Sequence, residues 1–334
     1  MKKSVALVAA LVMTAPLLTA CGGDDGPYIT VYNAQHEQLL EEVAPLFEKE
    51  TGIEVKLRSG SDLELANQLV QEGDASPADV FLTENSPAMS LVDRAGLFAP
   101  VDRETLKLIP PQFVPSDKDW IGFIARSTVA IYNTDQISED ELPASIMDFA
   151  DPEWAGKIAF SPTGADFQAI VSAVLELKGE AATREWLEGI AANGTVYDGN
   201  DVVLESVNSG EVEVGIAYHY YWYRDQQESG ANSDTSAVHY FGNQDPGAFV
   251  SASGAGVLAS SDKQDDAQKF VNFLAGTEGQ QAMADSYALE YPLNPDVSVQ
   301  EPVKPFNELE PPQIDVASLN SQAVIELMQD AGLL

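Results

Sequence analysis

The segment with the greatest capacity for chemistry is Tyr218-His219-Tyr220-Tyr221-Trp222-Tyr223. Four tyrosines in six residues exceed what packing at a strand end requires. The segment reads either as a half-buried aromatic cluster with its hydroxyls in water or as a rack of phenol oxygens. An ionised phenol is a hard anionic donor and suits a hard trivalent cation better than a borderline divalent one. Other chemistry is sparse. A histidine zinc site would need nearly all of His36, His219 and His239. The single cysteine, Cys21, lies near the N-terminus and leaves no thiol for nucleophilic catalysis. A phosphate loop, a His-Glu-x-x-His helix, a Gly-x-Ser-x-Gly elbow and a dinucleotide fingerprint are all missing. These gaps argue against an enzyme. The charge narrows the classes further. The 334 residues carry 53 acids against 17 lysines and arginines, a formal net charge of −36. That leaves few cations for a nucleic-acid face, and an anionic membrane surface would repel the chain.

The elements that must position the tyrosines follow an α/β rhythm. Lys2 and Lys3 precede an apolar run, Val5 to Leu18, of signal-peptide length. It ends in Leu18-Thr19-Ala20-Cys21, which resembles a bacterial lipobox and makes Cys21 the expected lipid anchor and first mature residue. Residues 1–21 are thus a lipoprotein signal, and 22–27 (Gly-Gly-Asp-Asp-Gly-Pro) a tether. Alternating Ile29 and Val31 predict a strand, and Leu39, Leu40, Val43, Leu46 and Phe47 a helix that Gly52 stops. Ile53, Val55 and Leu57 predict a second strand, and Ser61 to Glu64 a capping box opening the next helix. Ala78 to Thr83 reads as a buried strand, followed by a helix with Ser86 as N-cap and Pro87 at its first position. Helices over Phe167–Leu177, Ala181–Ala191 and Asp201–Asn208 interleave with strands near Lys157–Phe160 and Val212–Ala217. Strand–helix alternation of this kind builds a mainly parallel sheet.

Two long β runs, Ile121–Tyr132 with Arg126 in its middle and Phe249–Leu258, suit crossovers between two α/β lobes. The expected lobes are residues 28–125 plus 251–300, and 126–250 plus 301–334. The tyrosines follow the strand Val212–Ala217, at a carboxyl end, where α/β folds place ligands.

At this point the residues resemble a known family. Tyr220-Tyr221-Trp222 after a strand is similar to the ligand segment of bacterial ferric-binding proteins, the solute receptors of iron(III) ABC transporters. Val31-Tyr32-Asn33-Ala34-Gln35-His36 resembles the family's opening strand. Ser76-Pro77-Ala78-Asp79-Val80-Phe81 with Thr83-Glu84 resembles a second ligand segment. Lys178 to Ala182, Asp245 to Ala248 and Glu290 to Pro295 match in the same order. The resemblance implies a bilobed periplasmic-binding-protein-like fold (type II) with a two-strand hinge. It implies an extracytoplasmic, monomeric receptor that takes iron(III) from chelates and hands it to a permease and its ATPase. The same fold serving another metal chelate or a small anionic solute is the alternative.

By position, the resemblance implies His36, Glu84, Tyr220 and Tyr221 as metal ligands, His36 and Glu84 from one lobe and the tyrosines from the other. Two phenolates and one carboxylate would neutralise iron(III), leaving room for an added anion such as phosphate or carbonate. Thr163, Gly164 and Ala165 would cradle that anion, with Asn200 and Asn85 beside it. The turn Ser161–Ala165 leads into a helix, whose N–H groups suit anions. Tyr218, Arg126 and Tyr223 are further candidates. Asp166, just beyond the cradle, would repel an anion if it pointed inward.

Overall fold

The computed structural model describes residues 26–334. Cys21 and tether residues 22–25 lie outside the described residues. The chain opens with β1 (Tyr28–Asn33), α1 (Glu37–Thr51), β2 (Glu54–Ser59), α2 (Asp62–Glu72), β3 (Val80–Leu82), α3 (Ser86–Arg94) and the short α4 (Arg103–Leu106). The middle carries β4 (Ile121–Asn133), β5 (Ile158–Phe160), α5 (Ala165–Asn193), β6 (Gly194–Val196), α6 (Asn200–Asn208), β7 (Val214–Tyr218), α7 (His219–Glu228) and β8 (Ser236–His239). Then come β9 (Val250–Val257), α8 (Gln264–Ala275), α9 (Thr277–Ala284), β10 (Tyr291–Pro292) and α10 (Ser321–Asp330).

The path of the sheet is β2-β1-β3-β9-β4-β7-β5-β6. Strands β2, β1 and β3 pair in parallel, as do β7, β5 and β6. Between these two sets run the antiparallel strands β9 and β4. Strand β4 joins the halves because it is 13 residues long and buried throughout. Its first half, Ile121–Ser127, pairs with β9, and its second, Thr128–Tyr132, with β7. A strand covered on both faces needs the near-continuous apolar sequence it has.

Close packing explains one glycine of β9. A Cβ on Gly254 would lie 2.1 Å from Met89 Cγ, so the fully buried Met89 of α3 reaches the sheet only over a bare backbone. Several local expectations shift. The two helices expected across residues 167–191 form one element, α5, interrupted at Gly179, whose φ of 79° breaks the helical path. Ser61 makes no side-chain cap bond, and Asn85, not Ser86, precedes α3 as N-cap. The tyrosine segment is not a strand end throughout: Tyr218 ends β7 and His219 opens α7.

Candidate functional site

The parallel strands of one half run opposite to those of the other, so their carboxyl ends face each other across β4, and a candidate donor follows each of four strands. His36 follows β1, Glu84 follows β3, Asp166 follows β5, and Tyr220 and Tyr221 follow β7. Each also sits at a helix start. His36, Asn85, Gly164 and Tyr218 are the N-cap residues of α1, α3, α5 and α7. Four helix N-termini therefore bring partial positive charge to the place where the acids gather.

Hydrogen bonds tie these groups across the two halves of the sheet. The Tyr220 hydroxyl donates to Glu84 Oε1 at 3.2 Å, and His36 Nε2 lies 3.3 Å from the same oxygen. Tyr221 donates to Asp166 Oδ2 at 3.1 Å, with Tyr220 also 3.4 Å from it. The rings of Tyr220 and Tyr221 stack with centroids 4.3 Å apart. The Arg224 guanidinium lies over both, 4.8 and 5.3 Å from their centroids. Beside Tyr221 and Arg224 a cavity of about 480 Å³ opens outward, lined also by Gln38, Asp201 and Tyr287.

Burial sets the protonation states. It holds the phenols of Tyr220 and Tyr221 well above the usual tyrosine range, and the negative charge of Asp166 adds to that. Burial, then Glu84, pushes Asp166 up to about 7. His36 is lowered to about 4 by burial and then by Arg126 and Arg224, so its imidazole is neutral. Its Nε2 is buried without a hydrogen-bond partner. The arrangement offers one neutral nitrogen and four oxygen-bearing acids, with two phenolic protons separating the carboxylates. A hard cation placed there would exchange those protons for a larger positive charge.

Glu84 is held by its backbone as well. Asp62 accepts from the Glu84 and Asn85 N–H groups at 2.8 and 2.9 Å. Arg126 and Ser253 both donate to the Glu84 carbonyl. Asp62 is buried, and burial holds its carboxyl well above the usual range. It sits at the position where the sequence suggested a capping box, but it serves the neighbouring loop instead of its own helix.

The residues expected around an added anion are arranged differently from that expectation. Asn85 Nδ2 and Asn200 Nδ2 donate to Asp166, at 3.2 and 2.9 Å. Ser251 and Tyr218 both donate to Asn85 Oδ1, at 2.7 and 3.2 Å, which turns the Asn85 amide nitrogen toward Asp166. An acid of the chain itself thus takes both amides. Thr163 is exposed, and Gly164 and Ala165 are partly so at the start of α5. Arg126 is fully buried and paired with Glu290, so its charge is committed within the structure. Tyr223 is buried with its hydroxyl 3.4 Å from that of Tyr240, apart from the cluster. His219 is also structural. It is fully buried, stacks on Tyr291, and bridges the Ser127 N–H and the Leu289 carbonyl.

Asp166 is the residue whose direction the sequence left open. An acid in the first turn of a helix is ordinary, so nothing in its position marks it as facing inward. The paired amides Asn85 and Asn200 were the available signal, read as partners of a foreign anion.

Known proteins are similar to this chain over nearly its full length. The bacterial extracellular solute-binding protein family matches residues 75–315. The Fe(3+)-binding periplasmic protein of Serratia marcescens is 52% identical over 330 residues, covering 99% of this chain and 97% of the relative. The major ferric iron-binding protein of Neisseria meningitidis serogroup B is 38% identical over 330 residues, covering 98% and 97%. Among solved structures, iron-bound HitA of Pseudomonas aeruginosa superposes with a TM-score of 0.86 at 42% identity, over 92% of this chain and 100% of that one. The two-lobed α/β architecture is shared with these proteins. The chain therefore belongs to the bacterial extracellular solute-binding proteins.

Proposed function

We propose that this protein captures iron(III) between its lobes and delivers it to an ABC importer. The observation that carries the reading is the convergence of His36, Glu84, Asp166, Tyr220 and Tyr221 on one locus at the strand carboxyl ends. The relatives from Serratia marcescens and Neisseria meningitidis are both ferric-binding proteins, which supports the choice of metal. The lobes are residues 28–125 plus 251–300 and 126–250 plus 301–334, with β4 and β9 as the crossover strands. His36 and Glu84 come from the first lobe and the other donors from the second. A ligand held by both lobes favours the closed state, because only closure makes all its bonds.

Four acidic donors, two phenolates and two carboxylates, exceed the +3 of the metal by one charge. The helix N-termini around the site offset that excess. A further anion would add to it. In this reading Asp166 supplies the oxygen that a phosphate or carbonate would otherwise bring, and the turn Thr163–Ala165 needs no ligand of its own. Neutral His36 contributes a nitrogen without changing the count. Cys21 anchors the protein by lipid outside the cytoplasmic membrane, near its permease and ATPase, and iron chelates are the source of the metal. The protein binds and releases without catalysis.

The test is the visible spectrum of mature protein titrated with ferric citrate. Phenolate bound to iron(III) gives a charge-transfer band, which Tyr220→Phe/Tyr221→Phe should abolish. A colourless wild type would overturn the iron reading in favour of another solute, and an unchanged band in the double variant would overturn the tyrosine assignment.

A further inference from the structure

Helix α7, which brings Tyr220 and Tyr221 to the site, also carries a cation that the donor set does not use. Arg224 lies one helical turn after them, so the three side chains share one face of α7. Side chains on a helix lean toward its N-terminus, which brings the guanidinium back over both phenol rings. Arg58, Arg126 and Arg184 each have a carboxylate oxygen within 4.0 Å. Among the described residues Arg224 has none, in a chain with 53 acids. Its neighbour Asp225 accepts from Asn232 and Ser233 instead. Aromatic faces, not a carboxylate, hold the Arg224 side chain in place.

A third ring completes that setting from the other side of the cleft. The Tyr287 centroid lies 5.7 Å from the Arg224 guanidinium carbon. Tyr287 follows α9, which packs on α1, so it belongs with the half of the molecule that carries His36 and Glu84. Helix α7 packs on α6 and β7's neighbour β4, in the opposite half. Gln38 of α1 and Asp201 of α6 line the same outward-opening cavity of about 480 Å³, so the Arg224–Tyr287 contact stands at the mouth of the cleft. A guanidinium is planar and weakly hydrated and stacks readily on aromatic faces. A cation within about 6 Å of a ring centroid is attracted to that face.

Given iron(III) held between the lobes, as proposed above, we infer that Arg224 and Tyr287 form a clasp across the cleft mouth that slows release of the metal. Both are positioning residues: Arg224 lies over the faces of the two tyrosine donors, and Tyr287 meets it from the opposing lobe. When the lobes part, Tyr287 moves with one and Arg224 with the other. The stacking of Arg224 on Tyr220 and Tyr221 lies within one helix and survives opening, so only the Tyr287 contact is specific to the closed state. A contact made in one state alone shifts the equilibrium toward that state.

The test is stopped-flow release of iron to excess EDTA, followed as loss of the charge-transfer band. Tyr287→Leu should release iron about 3- to 10-fold faster than wild type, with the band itself unmoved because no donor has changed. Tyr287→Phe keeps the ring face and should release at the wild-type rate. Arg224→Met should release at least as fast as Tyr287→Leu, and adding Tyr287→Leu to it should give no further acceleration. Arg103→Met removes an exposed cation elsewhere and should leave the rate unchanged. Wild-type release from Tyr287→Leu would overturn the clasp, as would Tyr287→Phe matching Tyr287→Leu or effects that multiply in the double variant. Equal acceleration in Arg103→Met would show an effect of net charge and would overturn it too. A wild type with no band would overturn the iron reading and the clasp with it, whereas equal release rates beneath a normal band would overturn the clasp alone.

Discussion

Asp166→Asn separates the consequences of this structure from those of an ordinary surface acid. The amide keeps the shape and an acceptor oxygen but removes the charge. In the iron-free protein the Asp166 carboxyl stands at about 7, against an ordinary value of 3.8. Because the folded value is the higher one, the stability tied to this group is complete below about pH 4 and is lost as the pH rises through 7. At 1.36 kcal/mol per unit, a shift of this size corresponds to about 4 kcal/mol. Opening the cleft would hydrate Asp166 more cheaply than unfolding, so that figure is an upper bound. Urea unfolding of iron-free protein at pH 5.5 and 8.5 should show wild type losing stability between the two and Asp166→Asn losing much less. Iron binding should move the other way. In the proposed site the variant lacks one of four negative donors, and its iron affinity in anion-free buffer should fall about 100-fold or more, beyond the usual cost of an outer-shell change. Added carbonate or phosphate should restore part of it, while wild type should be indifferent. A variant with the wild-type pH dependence would refute the buried carboxyl. Unchanged iron affinity would refute its place among the donors.

The raised phenols make iron capture a proton-releasing reaction. Loading at pH 7 should release about two protons from Tyr220 and Tyr221, plus a fraction from Asp166, measured by pH-stat. Affinity should therefore fall as the pH drops, and release of fewer than two protons would mean that one tyrosine stays protonated. Arg126→Met would strand the fully buried Glu290 and remove a donor from the Glu84 carbonyl. Breaking such a pair costs about 3–5 kcal/mol. Urea denaturation giving a loss below about 1 kcal/mol would show that the pair is not a buried ion pair in solution.

Much of the scaffold is legible from local pattern. Apolar alternation at Ile29 and Val31, the helical spacing of Leu39 to Phe47 and the apolar run of β4 each depend on near neighbours in sequence. The corrections fall where a distant contact decides. Asp62 leaves its own helix for the loop at Glu84, 22 residues away. His219 opens a helix, and its ring is held between Ser127 and Leu289.

The site divides in the same way. Through its resemblance to a family, the sequence by itself put forward the candidate donors and their order: His36, Glu84, then the adjacent Tyr220 and Tyr221, each just beyond a strand. Its charge of −36 also argued against a nucleic-acid face. Only the tertiary structure decided which acid turns inward. Asp166 meets Asn85 across 81 residues of sequence and Tyr221 across 55. A side chain's direction depends on which donors the opposing segments present. Ser251 and Tyr218 orient Asn85, and Asn85 with Asn200 holds Asp166. That chain of contacts spans four elements and has no local signature, because each of its residues would be unremarkable in a surface loop.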